Sequence, residues 1–477
     1  MEKEYGVLLA LSSLNSSYSI GDMGKSAYEF VDYLEENGYT LWQLLPINNI
    51  DSTNCPYSSD ASLSLEELYI DMQDLVKRKL LKEEDLEPLK TKVGATKADY
   101  DTAREIKPKL IAKAYKKLTK KKKQELEAYV KNNPYLEEYG LFKALIERYG
   151  TSFWREWPEE VKKRDENVIK NLKIMERDNI LRYAFGQKIF NEQFLKLKEY
   201  ANSKGIKLMG DIGIYLDKNS MDVWLNPELF KLDENLNPYV VGGCPGQHWG
   251  TCIYNWEFKH FECYGWWFKR IIENLKNFDL LRLDHYAGFG IHYEIPVGWG
   301  EPYWYPACNE DFFQILFNLV DKNKLVVEDI GTVCQELQDI KVKYNLKGMV
   351  LMQWAFDGNE GNFALPNNVQ SKNIYYIGTH DNNTLLGFLN ELNENDLNNI
   401  LNHYRLNRDI NKNDLAILML KDAVNSNAET VVLTMQDLLM QGSDAQMNHP
   451  GVCGGQWEYV LPVDYREKSI KLSDLKK

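Results

Sequence analysis

Leu280-Leu281-Arg282-Leu283-Asp284-His285-Tyr286 is an apolar run that ends in ionisable residues. Read as a strand, it places Arg282 and Asp284 on one side and Leu281, Leu283 and His285 on the other. Seven further runs share this form: Gly6–Leu11, Leu41–Pro46, Ile206–Tyr215, Leu325–Ile330, Met349–Phe356, Asn373–His380 and Thr430–Leu438. Most are continuously apolar rather than alternating, as strands covered on both faces of a parallel sheet should be. Several contain or end in Asp211, Glu328, His380 with Asp381, or Asp437. In a parallel barrel the C-terminal strand ends share one face, where chemistry is assembled. The eight runs therefore predict an α/β chain folded as a (β/α)8 barrel, with residues 1–477 as a single catalytic barrel.

The spacing is uneven. Residues 47–205 lie between the second and third runs, far more than the dozen or so that one crossover needs. Residues from about 74 to 200 are rich in Lys, Glu and Leu at helical periodicity and predict an inserted helical subdomain. The Lys120–Lys123 run within it reads as a solvated helix face rather than an anion site. Residues from about 216 to 256, with Trp224, Pro227, Pro238, Pro245 and Trp249, predict a loop-rich insertion lining a cleft.

Composition narrows the function. A net charge of −13 argues against nucleic acid and anionic membranes as partners. Seven cysteines are scattered without a CxxC pair, and the seven histidines offer no HExxH spacing, so reduced thiols in a cytoplasmic protein are the simplest account. The opening residues carry Glu2 and Glu4 and read as a first strand rather than a leader. No apolar run approaches the roughly 20 residues of a membrane span.

An Arg two residues before an Asp at a strand end can hold the carboxylate ionised, as a carboxylate nucleophile requires; a structural ion pair is the bland alternative. Val326-Val327-Glu328-Asp329-Ile330-Gly331 ends the fifth run. A Glu shielded there has a raised pKa and can donate a proton to a leaving oxygen; a helix cap would suit Asp329 better. Gly378-Thr379-His380-Asp381-Asn382 offers groups for sugar hydroxyls, or simply a turn. Two carboxyls at a barrel mouth fit a retaining glycosidase, in which they stand about 5–5.5 Å apart.

At this point the residues resemble a known family. Arg282-Leu-Asp-His285, Glu328-Asp-Ile-Gly331 and Gly378-Thr-His-Asp381-Asn are similar to the signature of amylomaltases, the 4-α-glucanotransferases of glycoside hydrolase family 77. Tyr18-Ser-Ile-Gly-Asp-Met-Gly24, Leu41-Trp-Gln-Leu-Leu-Pro46, Pro56-Tyr57-Ser58, Gly210-Asp211-Ile212, Gly246-Gln247 with Trp249-Gly250, and Met447-Asn448 continue it in order. The resemblance implies a barrel with insertions and no separate C-terminal β domain. It implies transfer of α-1,4-glucan and maltooligosaccharide segments to glucose, maltose or longer acceptors. Asp284 would be nucleophile, Glu328 acid and base, and Asp381 with His380 would bind hydroxyls at the cleavage point. Arg282 would orient Asp284. Tyr57, Asp211, Gln247, Trp249, His285 and Asn448 would line the site. No metal or organic cofactor is implied.

The chain also departs from the pattern. Val241-Gly-Gly-Cys-Pro-Gly-Gln247 is shorter than the family's Pro-Pro-Asp loop, which shapes the acceptor side. Gly250-Thr-Cys-Ile-Tyr254 stands for Gly-Asn-Pro-Leu-Tyr, Gly213 stands where Pro is common, and Phe363–Asn368 lacks a usual histidine. The short loop makes an α-glucan hydrolase, or a transferase with altered acceptors, the alternative reading, because exclusion of water is what suppresses hydrolysis. A non-catalytic glucan-binding barrel is disfavoured by the presence of all three carboxylates.

Overall fold

The computed structural model describes residues 3–91, 95–331, 333–452 and 454–477. Its strands are, in chain order, β1 (Glu4–Leu8), β2 (Leu41–Gln43), β3 (Lys207–Ile212), β4 (Val240–Cys244), β5 (Gln247–Cys252) and β6 (Leu280–Leu283). Then come β7 (Ile291–Pro296), β8 (Tyr303–Pro306), β9 (Leu325–Val327), β10 (Met349–Leu351), β11 (Ile374–Tyr376) and β12 (Thr430–Thr434). Eight of them pair in parallel in the order β10-β11-β12-β1-β2-β3-β6-β9. A parallel bridge between Val326 and Lys347 closes the ring. The fold is the (β/α)8 barrel.

The closing seam is thin. Val327 N–H donates to Lys347 O at 2.8 Å, and beyond that a side chain takes over: Asp329 Oδ1 accepts the Met349 N–H at 2.8 Å, while Lys341 neutralises the same carboxylate.

Each of the eight expected runs overlaps a barrel strand, with β1 starting two residues ahead of its run, but the strands stop sooner than the apolar runs. Met352–Trp354 is a 3-10 turn and Met435–Leu438 a helical turn, because the chain must leave the ladder to shape the mouth. Alternation explains the layers. Leu8, Leu41, Met209, Leu280, Val326, Met349, Ile374, Tyr376 and Val432 pack together inside the ring. Their strand neighbours, such as Val7, Trp42, Leu281, Leu283 and Val431, face the helices. Asp211 keeps step with Met209, and Arg282 with Leu280, so both point into the lumen. Gly210 faces outward, where an added Cβ would lie 2.2 Å from the Phe278 ring.

Residues 47–205 hold the helices Tyr100–Lys116, Lys120–Asn132, Pro134–Tyr149, Glu166–Met175 and Arg177–Ser203. Asp99, Thr119 and Asp165 cap their starts, and Gly150 at φ +70° ends one of them. Lys120, Lys121 and Lys122 are exposed, and Lys123 donates to Asp178.

The stretch 216–256, expected to be loop-rich, is instead partly a sheet. β4 and β5 form a hairpin that joins β7 and β8 in an antiparallel sheet of order β5-β4-β7-β8. Gly242-Gly243 breaks the apolar signal there, so the strand was not legible from composition. The turn is Pro245-Gly246, with Gly246 at φ +87°, a conformation suited to glycine.

Among the described residues, Cys55, Cys244, Cys252, Cys263, Cys308 and Cys334 are free thiols; Cys453 lies outside them. No described helix is long and apolar enough to cross a membrane.

Candidate active site

The barrel mouth gathers Tyr57, Asp211, Gln247, Trp249, Arg282, Asp284, His285, Glu328, His380, Asp381 and Asn448. Arg282, 3% exposed, is the hub: its Nη1 donates to Asp284 Oδ1 at 2.9 Å and to Asp211 Oδ2 at 2.7 Å. Tyr57 Oη donates to the same Asp211 oxygen at 2.7 Å and accepts from Arg282 at 3.5 Å. Met349 Sδ cups the guanidinium from within the lumen, 3.4 Å from Nε. Two anions on one buried cation, with hydrogen bonds to each, is the arrangement that keeps carboxylates charged in a dry site. Burial pushes the Asp211 carboxyl up and Arg282 pulls it back.

Glu328 is held differently. Its Oε2 accepts the His285 N–H at 2.9 Å, and its Oε1 accepts the Ile330 N–H at 3.0 Å. Burial, opposed by Arg282 and reinforced by the Asp284 charge, raises its carboxyl to about 8. The mouth therefore sets a carboxyl whose protonated form is favoured beside a second carboxyl paired with arginine. Such a split is how one site supplies a proton donor and an anion together.

The chain reaches these positions through an uncommon backbone. His285 adopts φ +46°, ψ +57°, left-handed for a residue with a side chain. The reversal directly after Asp284 turns the His285 amide onto Glu328, so the strained residue links the two carboxyls.

Asp381 completes the set. Asn448 Nδ2 donates to its Oδ1 at 2.6 Å, and the Asn448 N–H donates to His380 O at 3.1 Å. His380 Nε2 lies 3.2 Å from Asp381 Oδ2 without the alignment of a hydrogen bond. Burial acts to raise the Asp381 carboxyl, but His380, Asn448 and Arg282 together hold it below the ordinary range. Both His380 nitrogens, Asp211 Oδ1 and His285 Nε2 are buried and find no hydrogen-bond partner among the described residues, so polar capacity converges on the mouth.

Aromatic rings form the walls. Tyr57 stacks on His380, with centroids 5.3 Å apart and planes at 15°. Trp249 stands edge-on to His285 at 5.0 Å, and its Nε1–H donates to Gln247 Oε1 at 2.9 Å. One residue went unnoticed in the sequence: Trp457, buried at φ +67°, packs against both Tyr57 and His380 at 5.8 Å. A lone Trp after Gly454-Gly455 gave only a weak signal. Asp437, a polar residue at the end of the eighth run, stands apart from this network and accepts the Leu385 N–H at 2.7 Å.

The chain matches the model of the 4-alpha-glucanotransferase family over residues 9–464. It is 36% identical to a 4-alpha-glucanotransferase of Aquifex aeolicus over 97% of this chain and 96% of that one. It is 31% identical to one of Streptococcus pneumoniae over 98% and 95%. The solved amylomaltase of Streptococcus agalactiae, in complex with acarbose, superposes at a TM-score of 0.94 with 27% identity, over 99% of this chain and 98% of that one.

Proposed function

We propose a retaining glucan transfer for this chain, which belongs to the 4-alpha-glucanotransferase family, glycoside hydrolase family 77. It is an enzyme of glycosyl transfer, a 4-α-glucanotransferase. The mechanism and the residue roles are our reading. Asp284 attacks the anomeric carbon of an α-1,4-glucan while Glu328 gives its proton to the departing glycosidic oxygen. A glycosyl ester on Asp284 results, and the shortened glucan leaves with a free 4-hydroxyl. The 4-hydroxyl of an acceptor glucan, maltose or glucose then attacks the same anomeric carbon from the face opposite Asp284, and the bond to Asp284 breaks to return its carboxylate. Glu328, now a carboxylate, takes its proton. Two inversions return the α configuration.

The other residues hold and bend the sugar. Asp381 and His380 bind hydroxyls of the ring being cleaved, and Tyr57 stacks on its face. Arg282 binds Asp284 and aims it. Asp211, Gln247, Trp249, His285 and Asn448 line the remainder. Free thiols and an acidic surface suit a cytoplasmic setting.

The observation that carries the reading is the contrast between Glu328, held by two backbone amides with its carboxyl raised by desolvation, and Asp284, paired with Arg282. The test is incubation with maltotriose. Transfer yields a ladder of longer maltooligosaccharides with no net gain in reducing ends, and Asp284→Asn abolishes it while glucan binding persists. Turnover surviving in that variant would remove the nucleophile from the scheme. A second reading, partial hydrolysis, is favoured by the Pro245-Gly246 turn, which leaves little backbone to cover an acceptor. It would show as a steady rise in reducing ends.

A further inference from the structure

We propose that the solvent face of the sheet β5-β4-β7-β8 is a second α-glucan contact surface, beyond the catalytic mouth. The register places His248, Gly243, Tyr293 and Trp304 in one row across the four strands. Residues in such a row share a face, and at about 4.8 Å per strand the row spans roughly 14 Å. His248 and Trp304 are exposed and Tyr293 half-buried. Tyr293 and Trp304 form a tilted pair with centroids 5.0 Å apart. On the opposite face Lys231 packs under the sheet, bound to Glu294 and lying over the Tyr305 ring.

An exposed pair of large rings on a rigid sheet is a recognition surface rather than leftover core. What identifies the occupant is continuity. β5 carries both the first residue of the row, His248, and its neighbours Gln247 and Trp249, which stand at the mouth beside His285. The row begins where the catalytic cleft ends, separated from it only by the edge of one strand. An α-1,4-glucan is curved and offers an apolar face on each ring, so a long chain leaving Trp249 can turn round this edge and lay a sugar against Trp304. Trp299, fully exposed, is not part of this row: it sits in the β7–β8 turn, at the end of β7 away from the mouth.

The inference rests on the glucan transfer proposed above. The experiment compares kcat/KM for transfer to maltoheptaose and to glucose in the wild type, Trp304→Ala, Trp304→Phe and Trp299→Ala. Losing one ring stack lowers the maltoheptaose-to-glucose ratio by about three- to tenfold in Trp304→Ala. Trp304→Phe recovers most of the ratio, and Trp299→Ala leaves it alone. A ratio unchanged in Trp304→Ala, or one lowered as much by Trp299→Ala, overturns the surface. So does a drop in apparent mass of Trp304→Ala in light scattering with no change in the ratio, which would mark the row as an interface between two copies. Wild-type enzyme that transfers to neither acceptor would sink the proposed reaction itself, a separate failure.

Discussion

Arg282→Met is the perturbation that probes the mouth most directly. Methionine keeps a long unbranched stem but removes the charge that Asp284 and Asp211 share at 2.9 and 2.7 Å. Asp211 is 1% exposed, so it cannot turn to water for compensation. Breaking a buried pair by deleting one partner costs about 3–5 kcal/mol. The chain's unfolding entropy is roughly 1 kcal/mol/K at about 2.1 cal/mol/K per residue, so calorimetry should show a loss of about 3–5 °C. The loss must depend on pH. Burial already raises Asp211, and without Arg282 it rises further. A carboxyl raised in the folded state contributes stability at low pH and loses it as pH climbs through the folded value. The deficit should therefore be smallest at acid pH and grow as the pH rises. Adding Asp211→Asn should restore most of the stability at pH 8, because the stranded charge is gone. It should not restore activity. A charge-assisted bond that aims the nucleophile is worth about 1.5–3 kcal/mol, so kcat on maltotriose falls about 10- to 150-fold in both variants. A kcat within fivefold of wild type, or a deficit that ignores both pH and Asp211→Asn, would refute the account of Arg282 as the shared counter-ion.

Other outcomes follow from the same geometry. Glu328 must be protonated to act as acid, so kcat/KM should fall as pH rises through about 8 in a stopped maltotriose assay, and no such basic limb should remain in the residual activity of Glu328→Gln. Because Glu328 is raised from 4.5 in the folded protein, its stabilising contribution is complete below that value and is lost toward about 8; thermal melts of Glu328→Gln should slope less over this range. Asn448→Ala removes the 2.6 Å bond that helps hold Asp381 down, so the acid limb of the rate profile should move up in pH and KM should rise roughly tenfold. Gly210→Ala forces a methyl to within 2.2 Å of Phe278 and should lower the melting temperature by a few degrees, with partial recovery in Gly210→Ala/Phe278→Leu.

The barrel was legible because its strands are covered on both sides, which leaves continuous apolar runs that stand out against amphipathic helices. Their ends were less so. Met352–Trp354 and Met435–Leu438 are as apolar as the strands before them, yet turn away at the mouth. Alternation alone placed Arg282 beside Asp284 and away from Leu281 and Leu283, as observed. The antiparallel sheet was hidden because β4 passes through two glycines and β5 is not an apolar run. Trp457 was hidden for another reason: its place against Tyr57 depends on a left-handed backbone that nothing in its neighbours announces. The family resemblance supplied Asn448, whose contact with Asp381 spans 67 positions of sequence and has no local signature.

The seam between β9 and Lys347 has a mechanical consequence. Elsewhere the ring is sewn by backbone ladders of three or more registered pairs, but here a single bridge is finished by the Asp329 carboxylate on the Met349 amide. A side-chain stitch can be undone by one substitution, whereas a backbone ladder cannot. Asp329→Ala should therefore loosen the barrel first along this line, and the Met349 amide should be the one whose hydrogen exchange quickens most. The strand it would free is the one that ends at Glu328.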